Sequence, residues 1–415
     1  MSEQELSQVS LIEVIPRAKS SRTPHTGLHG WLPYYAGFSP DFVSVILHRL
    51  SLGRSSLVFD PFAGSGTTNV VCKSLTIPSI GLELNPVAYV VANAKLCWQL
   101  EVQQIDKEIG RFAPDSLKES TSDAAPASDK ILLTDTTRYL LDVGREIVRL
   151  SGETRFFLLS VAVETLRRLS NVDKSSNPTW STLKPRSVRA PGTFKLFAKI
   201  ARQRLSELDS YKANQDCQSR ILFNDASTFK PDFKANAIIT SPPYLNRLDY
   251  IMNFALENSY LLQLGFPTLG SIGTLRDQMM GTVTVGRSPK SDANWGPTCL
   301  HILEAVRTHP SRAAESYYLK TMTQYFERLY NCIRMFFNVL ANNGVCCMVV
   351  RSSYFKNLEI PLASIVKEMA LKVGFSNVSY VREDSVNSHL GRMDPDQRKW
   401  VPNKSLVENV IFMGR

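Results

Sequence analysis

Two short runs in this chain have the residue types and spacing to do chemistry. Asp60-Pro-Phe-Ala-Gly-Ser-Gly-Thr-Thr68 closes an apolar strand and opens a helix around two glycines. Thr240-Ser-Pro-Pro-Tyr244 follows the apolar Ala237-Ile-Ile239 and sets a hydroxyl, two prolines and an aromatic ring in a row. Consecutive prolines stiffen the backbone and remove its donors, so the Pro242 carbonyl is held as an acceptor in one direction. Ser241 adds a hydroxyl that accepts from, or orients, an N–H group. Tyr244 offers a face on which a flat ring stacks, worth ~1–3 kcal/mol. Together the runs read as a small-molecule pocket facing a clamp for a flat, amine-bearing ring. Taken alone, the second run is also compatible with an ordinary Pro-Pro turn and an incidental tyrosine. Agreement of two independent runs on one chemistry argues against that.

The first run is a ligand loop by its glycines. Gly64 and Gly66 bracket Ser65 directly after the strand Ser56–Asp60, where glycine permits positive φ and close approach of a ligand to the backbone. A helix starting near Thr67 points free N–H groups at that ligand. The loop is not G-x-G-x-x-G, because Thr68 and Asn69 stand where a third glycine would be, and a bare G-x-G also makes tight turns that bind nothing. Glu83 sharpens the reading. It ends the next strand, Ser79–Glu83, 17 residues beyond Gly66, near the spacing at which an acid accepts bonds from ribose hydroxyls. Loop, strand and acid together favour a nucleoside ligand.

The elements that must hold these runs follow from periodicity. Pro40 opens a helix whose apolar face is Phe42, Val43, Ile46, Leu47 and Leu50. Strand, glycine loop, helix Thr68–Leu75 and second strand form a βαβ unit. Asn85-Pro86 opens a further helix. Helical periodicity returns over Thr136–Leu150 and Arg155–Leu169, and strand patterns over Ser219–Asp225 and Ala235–Thr240. A helix over Tyr318–Leu340 leads into a buried strand, Val345–Val350. A last helix, Leu362–Val373, precedes two strands near 377–382 and 408–413 that suit an antiparallel hairpin. The expected fold is a Rossmann-like α/β domain with a mostly parallel seven-stranded sheet. The expected organisation is a flexible arm over 1–30, a catalytic domain over 31–100 and 219–415, and a mostly helical inserted region over 101–218. The segment 245–315 is a second candidate for target recognition.

Composition narrows the class. The chain has 415 residues, 43% of them hydrophobic, which suffices for a large core. It has no apolar stretch of ~18 residues to span a membrane and no basic-then-apolar leader. Seven scattered cysteines, odd in number and several within apolar runs, suit reduced thiols. With no Cys-x-x-Cys pair and six dispersed histidines, no metal site is expected. The net charge of +10 favours a polyanionic partner. Residues 174 to 205 hold eight basic residues and no acid, interleaved with Trp180, Phe194 and Phe197. Lys184, Arg186 and Arg189 in that stretch, and Arg247 just past the clamp, are the candidate nucleic-acid contacts. A solvated helix face is the competing reading of such a charge run.

The run Val58-Phe-Asp-Pro-Phe-Ala-Gly-Ser-Gly-Thr-Thr68, with Gly81-Leu-Glu-Leu-Asn-Pro86 and Ser241-Pro-Pro-Tyr244, resembles the DNA amino-methyltransferases. The resemblance covers about 31 to 98, 219 to 260 and 318 to 415. It implies S-adenosylmethionine as cofactor. Asp60, Phe62, Gly64, Gly66 and Thr67 would form the loop at its methionine end, Glu83 would hold the ribose, and Asp225 would meet the adenine amine. Tyr35, in the Tyr35–Phe38 motif, would pack beside it. It implies catalysis by Ser241, Pro242, Pro243 and Tyr244 on a base flipped out of double-stranded DNA. Serine at the first clamp position points to the cytosine N4 amine. Adenine N6, an RNA base, and a catalytically silent DNA-binding subunit stand as alternatives. A bacterial cytoplasm, and a cognate restriction endonuclease or defence proteins as partners, are implied by resemblance alone.

Overall fold

The computed structural model describes residues 16–18, 27–34, 37–117, 135–170, 190–211, 217–245, 249–268, 270–282, 290–384 and 407–415. Seven strands form one sheet: β1 (Val58–Asp60), β2 (Ser79–Glu83), β3 (Ser219–Phe223), β4 (Ala235–Thr240), β5 (Leu340–Arg351), β8 (Asn377–Asp384) and β9 (Val407–Gly414). Two short strands, β6 (Ser353–Phe355) and β7 (Leu358–Ile360), pair separately. The order across the main sheet is β3-β2-β1-β4-β5-β9-β8. The first five strands are parallel, and β9 alone runs against its neighbours β5 and β8. This is the expected Rossmann-like α/β architecture, with the expected antiparallel last pair.

Strand alternation explains how the sheet is buried on both faces. Consecutive residues of a strand point to opposite sides. Val58, Ile239, Cys347, Val349 and Val410 face one core, shared with Phe42, Val43, Ile46 and Leu47 of α1 (Pro40–Arg49) and Val71 and Cys72 of α2 (Thr67–Ser74). Their neighbours Phe59, Ile238, Cys346, Met348 and Ile411 face the other core, which the later C-terminal helices complete. Each large apolar side chain so buried contributes about 1.5–3 kcal/mol.

The remaining helices, in chain order, are α3 (Pro86–Ala94), α4 (Val102–Arg111), α5 (Asp135–Arg149), α6 (Gly152–Leu169), α7 (Ala190–Asp209), α8 (Ala255–Gln263), α9 (Ile272–Gln278), α10 (Pro297–Arg307), α11 (Lys320–Val339) and α12 (Leu362–Val373). Asn85 caps α3 by accepting from the Val87 N–H at 3.1 Å, with Pro86 at its first position. The helices α4 to α7 lie between β2 and β3 in sequence and pack with α3 and α8 in a third apolar cluster. Among the described residues no helix is long and apolar enough to cross a membrane.

The strand order reverses between β1 and β4. The chain runs outward from β1 through β2 to β3, then returns to β4 on the other side of β1. A crevice opens at the carboxyl ends of strands where such a reversal occurs. Both chemically suggestive runs leave the sheet there. Val58 pairs with Ala237 and Phe59 with Ile238. The Thr240 hydroxyl, fully buried, donates to Asp60 Oδ1 at 2.8 Å across 180 residues of sequence. A hydrogen bond to a charged group contributes about 1.5–3 kcal/mol. Thr240→Val, which keeps the shape, is expected to lower stability by that amount at pH 8 in urea unfolding. The loss should be smaller at pH 5, where Asp60 is protonated. An equal loss at both pH values would contradict a charge-assisted bond.

Candidate active site

The two runs line one cavity of about 810 Å³, its open mouth included. Asp60, Phe62, Gly64, Ser65 and Thr67 form one wall, and Ser241, Pro242, Pro243 and Tyr244 another. Glu83 and Asp225 also reach it, so every expected cofactor residue except Gly66 and Tyr35 lines the cavity. Gly66 lies behind the loop wall, with φ +80°. A Cβ there would stand 2.9 Å from the Ala92 Cβ of α3, so only glycine fits. Gly64, at φ +53°, faces the Tyr34 ring, which a Cβ would meet at 2.8 Å.

Tyr35 lies outside the described residues. Its neighbours Tyr34, Gly37 and Phe38 line the cavity. Tyr34 stacks with Tyr250 and with Phe254, each pair 6.0 Å between ring centroids. Tyr34 and Tyr250 are cavity residues that the sequence reading missed. Tyr250 lies in the 245–315 segment, read as a second candidate for target recognition. Lys184, Arg186, Arg189 and Arg247 lie outside the described residues as well. Two other members of the basic segments face inward. Arg204 of α7 is buried, ion-paired with Glu164 and bonded to Ser160 Oγ at 2.7 Å. Arg276 is paired with Asp249 at 2.8 Å, against the cavity's own segment. Neither is a free phosphate contact.

Of the acids at the cavity, Glu83 and Asp60 are buried and Asp225 is half-buried, and each is held by backbone donors. Glu83 Oε1 accepts from the N–H groups of Leu84 at 2.9 Å and Asn85 at 2.7 Å. Burial still pushes its pKa up to about 7, with the Asp60 charge adding to the rise and the Asn85, Gly64 and Leu84 amides opposing it. Burial likewise raises Asp60 to about 6, against its bonds from Thr68, Thr240 and Phe62. Asp225 Oδ1 accepts from the Ser227 N–H and hydroxyl, both at 2.8 Å, which fixes the carboxylate just past β3.

The clamp is fixed at four points. Thr240 is tied to Asp60, as described above. Ser241 Oγ donates to the Val349 carbonyl at 3.1 Å. Its hydrogen is thereby committed and its lone pairs remain acceptors. The Pro243 carbonyl accepts from the Tyr325 hydroxyl of α11 at 3.0 Å. Among the described residues no donor meets the Pro242 carbonyl. The Tyr244 hydroxyl donates to Glu408 of β9 at 3.0 Å, and burial pushes its pKa up further. Gly281, at φ +75°, lets the Met279–Met280 segment close on the Tyr244 carbonyl, 3.2 Å from where its Cβ would stand. Glu408, Tyr325 and Met280 carry no sequence signal, because each reaches the clamp from a distant element.

A nucleoside fits this donor set. A carboxylate held at the tip of β2 accepts from vicinal hydroxyls, and the glycine loop leaves backbone N–H groups at the wall for a charged end. Glu83 also has a measurable cost. Its folded pKa of about 7 lies above its ordinary value of 4.5. Between those values the native state holds a proton that the unfolded chain has lost, so ligand-free stability falls as pH rises. Glu83→Gln keeps the acceptor and removes the charge. Its stability relative to wild type is expected to improve by about 1.4 kcal/mol per pH unit from pH 4.5 to 7. A pH-independent difference in urea unfolding would contradict a buried, displaced Glu83.

Comparison with known proteins agrees with this geometry. Residues 14–94, spanning the loop and Glu83, match the DNA methylase family of N6- and N4-type enzymes. The Type II methyltransferase M.BsoBI of Geobacillus stearothermophilus is 26% identical over 56% of this chain and 52% of its own length. This chain therefore spans about half the length of that relative. The Type II methyltransferase M.AvaI of a Nostoc species is 22% identical over 83% of this chain and 78% of its own. M.MjaII of Methanocaldococcus jannaschii is 36% identical over a shorter stretch, 22% of this chain and 16% of its own. Among solved structures, the rRNA methyltransferase aviRa of Streptomyces viridochromogenes aligns over 92% of this chain and 87% of its own. Its identity is 10% and its TM-score 0.31, a likeness too weak to inform function. S-adenosylmethionine is the methyl donor of the family so matched. With the glycine loop, Glu83 and the Ser-Pro-Pro-Tyr run on one cavity, and the family match across the first two of them, the chain is similar to the DNA amino-methyltransferases.

Proposed function

We propose that this protein methylates the exocyclic N4 amine of cytosine in DNA, using S-adenosylmethionine. The observation that carries the reading is the shared cavity, with Gly64 and Tyr244 on its walls and Thr240 bonded to Asp60 between them. Bound along the loop, S-adenosylmethionine would supply an electrophilic methyl group on a sulfonium. Glu83 would hold its ribose hydroxyls, Asp225 its adenine amine, and Asp60, Phe62, Gly64 and Thr67 its methionine end, with Gly66 keeping the loop against α3. The catalytic unit is then 31–100 with 219–415, and 101–218 is an inserted helical layer.

An exocyclic amine on a base is a poor nucleophile because its lone pair is conjugated with the ring. Ser241 Oγ, whose own hydrogen is spent on Val349, accepts one N–H of that amine. The Pro242 carbonyl, free of other donors among the described residues, accepts the other. Two acceptors out of the ring plane favour a pyramidal nitrogen with its lone pair exposed. Tyr244, pinned by Glu408, supplies the stacking face. No charge develops on a protein nucleophile, so the gain comes from orientation and preorganised acceptors. The base must leave the duplex stack, at a cost of a few kcal/mol. Serine at position 241 favours cytosine, and adenine N6 is the second reading, because the cofactor loop precedes the clamp in this chain.

Expression in a host without DNA methylation, followed by digestion to nucleosides and mass separation, is expected to yield N4-methylcytosine. N6-methyladenine would transfer the assignment to adenine, and unmodified DNA would contradict a DNA-methylating enzyme. Ser241→Ala is expected to lower turnover ~100-fold or more, the usual cost of losing a preorganised polar contact to the reacting group. Its affinity for S-adenosylmethionine in calorimetric titration should stay within about 3-fold of wild type, less than one lost neutral hydrogen bond. Lost cofactor binding with turnover retained would invert the assigned roles.

A further inference from the structure

The helix after the second strand braces the glycine loop at two points one turn apart. Ala92 sits against Gly66, where a Cβ would be only 2.9 Å away. Three residues on, at the end of α3, Lys95 is fully buried, and its Nζ donates to the Ser65 carbonyl at 2.8 Å. Residues three apart share a helix face, so one face of α3 holds both peptides of the loop's turn. The Lys95 main chain is itself fixed, its carbonyl accepting from the Trp98 indole at 2.6 Å.

Burying an ammonium is costly unless it is paired with an acid or fully hydrogen-bonded. The bonded partner of Lys95 is a neutral carbonyl, and the charged neighbour it feels is another cation, Arg204. An apolar side chain of the same length would fill the space without that cost. The observed residue therefore makes sense by what its donor does to the loop. With the Ser65 carbonyl drawn into the protein, the Ser65–Gly66 peptide cannot rotate. The loop's backbone and the first turn of α2 then keep their N–H groups at the cavity wall, where Ser65 and Thr67 lie.

We propose that Lys95 is a positioning residue for the cofactor loop, one that trades fold stability for a fixed Ser65–Gly66 peptide at the methionine end of S-adenosylmethionine. This rests on the functional reading above. Its effect is confined to the end of the ligand that the loop holds, because Glu83 and Asp225 hold the nucleoside end from β2 and β3.

Lys95→Met in the full chain separates this from a general structural role. Three quantities are measured beside wild type: the ligand-free melting temperature, the calorimetric Kd for S-adenosylmethionine, and the Kd for 5′-methylthioadenosine, which lacks the amino-acid end. The expected result is an unchanged or higher melting temperature and S-adenosylmethionine binding weakened about 10-fold or more, the scale of one charge-assisted hydrogen bond. Binding of 5′-methylthioadenosine should change less than about 2-fold, which is smaller than one net hydrogen bond. In turnover assays KM for S-adenosylmethionine should rise more than kcat falls. Equal weakening of both ligands, no weakening of either, or a protein that no longer folds would each overturn the positioning role. Lys95→Gln, which keeps an N–H donor, should show the same ligand-selective loss to a smaller degree, and an equal loss for both ligands there would overturn it too. Wild type binding neither ligand would instead remove the functional reading beneath it, and the same titrations reveal that case.

Discussion

The site depends on two parallel strands that lie side by side and on one buried hydrogen bond between their ends. β1 delivers the glycine loop and β4 delivers the clamp, and the Thr240 hydroxyl holds the Asp60 carboxylate between them. Each run is unremarkable alone, a tight turn in one case and a stiff Pro-Pro corner in the other. Their adjacency comes from sheet topology, because β1 and β4 neighbour each other where the strand order reverses. The proposed reaction needs a methyl donor and an amine in line, and a rigid common base keeps two loops from different parts of the chain in that relation.

Around that base the protein accepts electrostatic cost. Glu83, Asp60 and Lys95 are all buried at the loop, and burial displaces each of them toward its neutral form. None has an opposite charge as its bonded partner. Backbone amides, hydroxyls and a carbonyl serve instead. Such groups weaken the free fold and strengthen a site that a polar ligand completes, the usual trade between stability and function. On the clamp side the strategy differs. Ser241, Pro243 and Tyr244 are each tied to another element, Val349 of β5, Tyr325 of α11 and Glu408 of β9, so the run is held from three sides.

What the sequence disclosed was local. Gly64 and Gly66 after an apolar strand, Glu83 at the next strand end, and the prolines after Ile239 carry their meaning within a few residues; Gly64, Glu83 and both prolines line the one cavity, and Gly66 stands just behind its wall. The parallel strands and the final antiparallel pair were also legible, because buried runs and helical periodicity alternate plainly. What stayed hidden was long-range. Tyr34 and Tyr250 stack across more than half the chain, and neither position has a pattern that names its partner. Lys95 reads as the polar end of a helix, and only packing reveals it inside the loop. Charge alone does not say which way a side chain turns. Arg204 and Arg276 belong to segments that look like solvated, phosphate-seeking stretches, yet Glu164 and Asp249 draw them inward.

The most direct test is a crystal structure of this protein with S-adenosylhomocysteine, the demethylated product form of the cofactor. Density is expected along Gly64–Gly66, with the ribose hydroxyls on the Glu83 carboxylate and the sulfur facing Ser241 and the Pro242 carbonyl across the cavity. Density elsewhere, or a sulfur turned away from the clamp, would contradict a single cavity that serves both donor and acceptor.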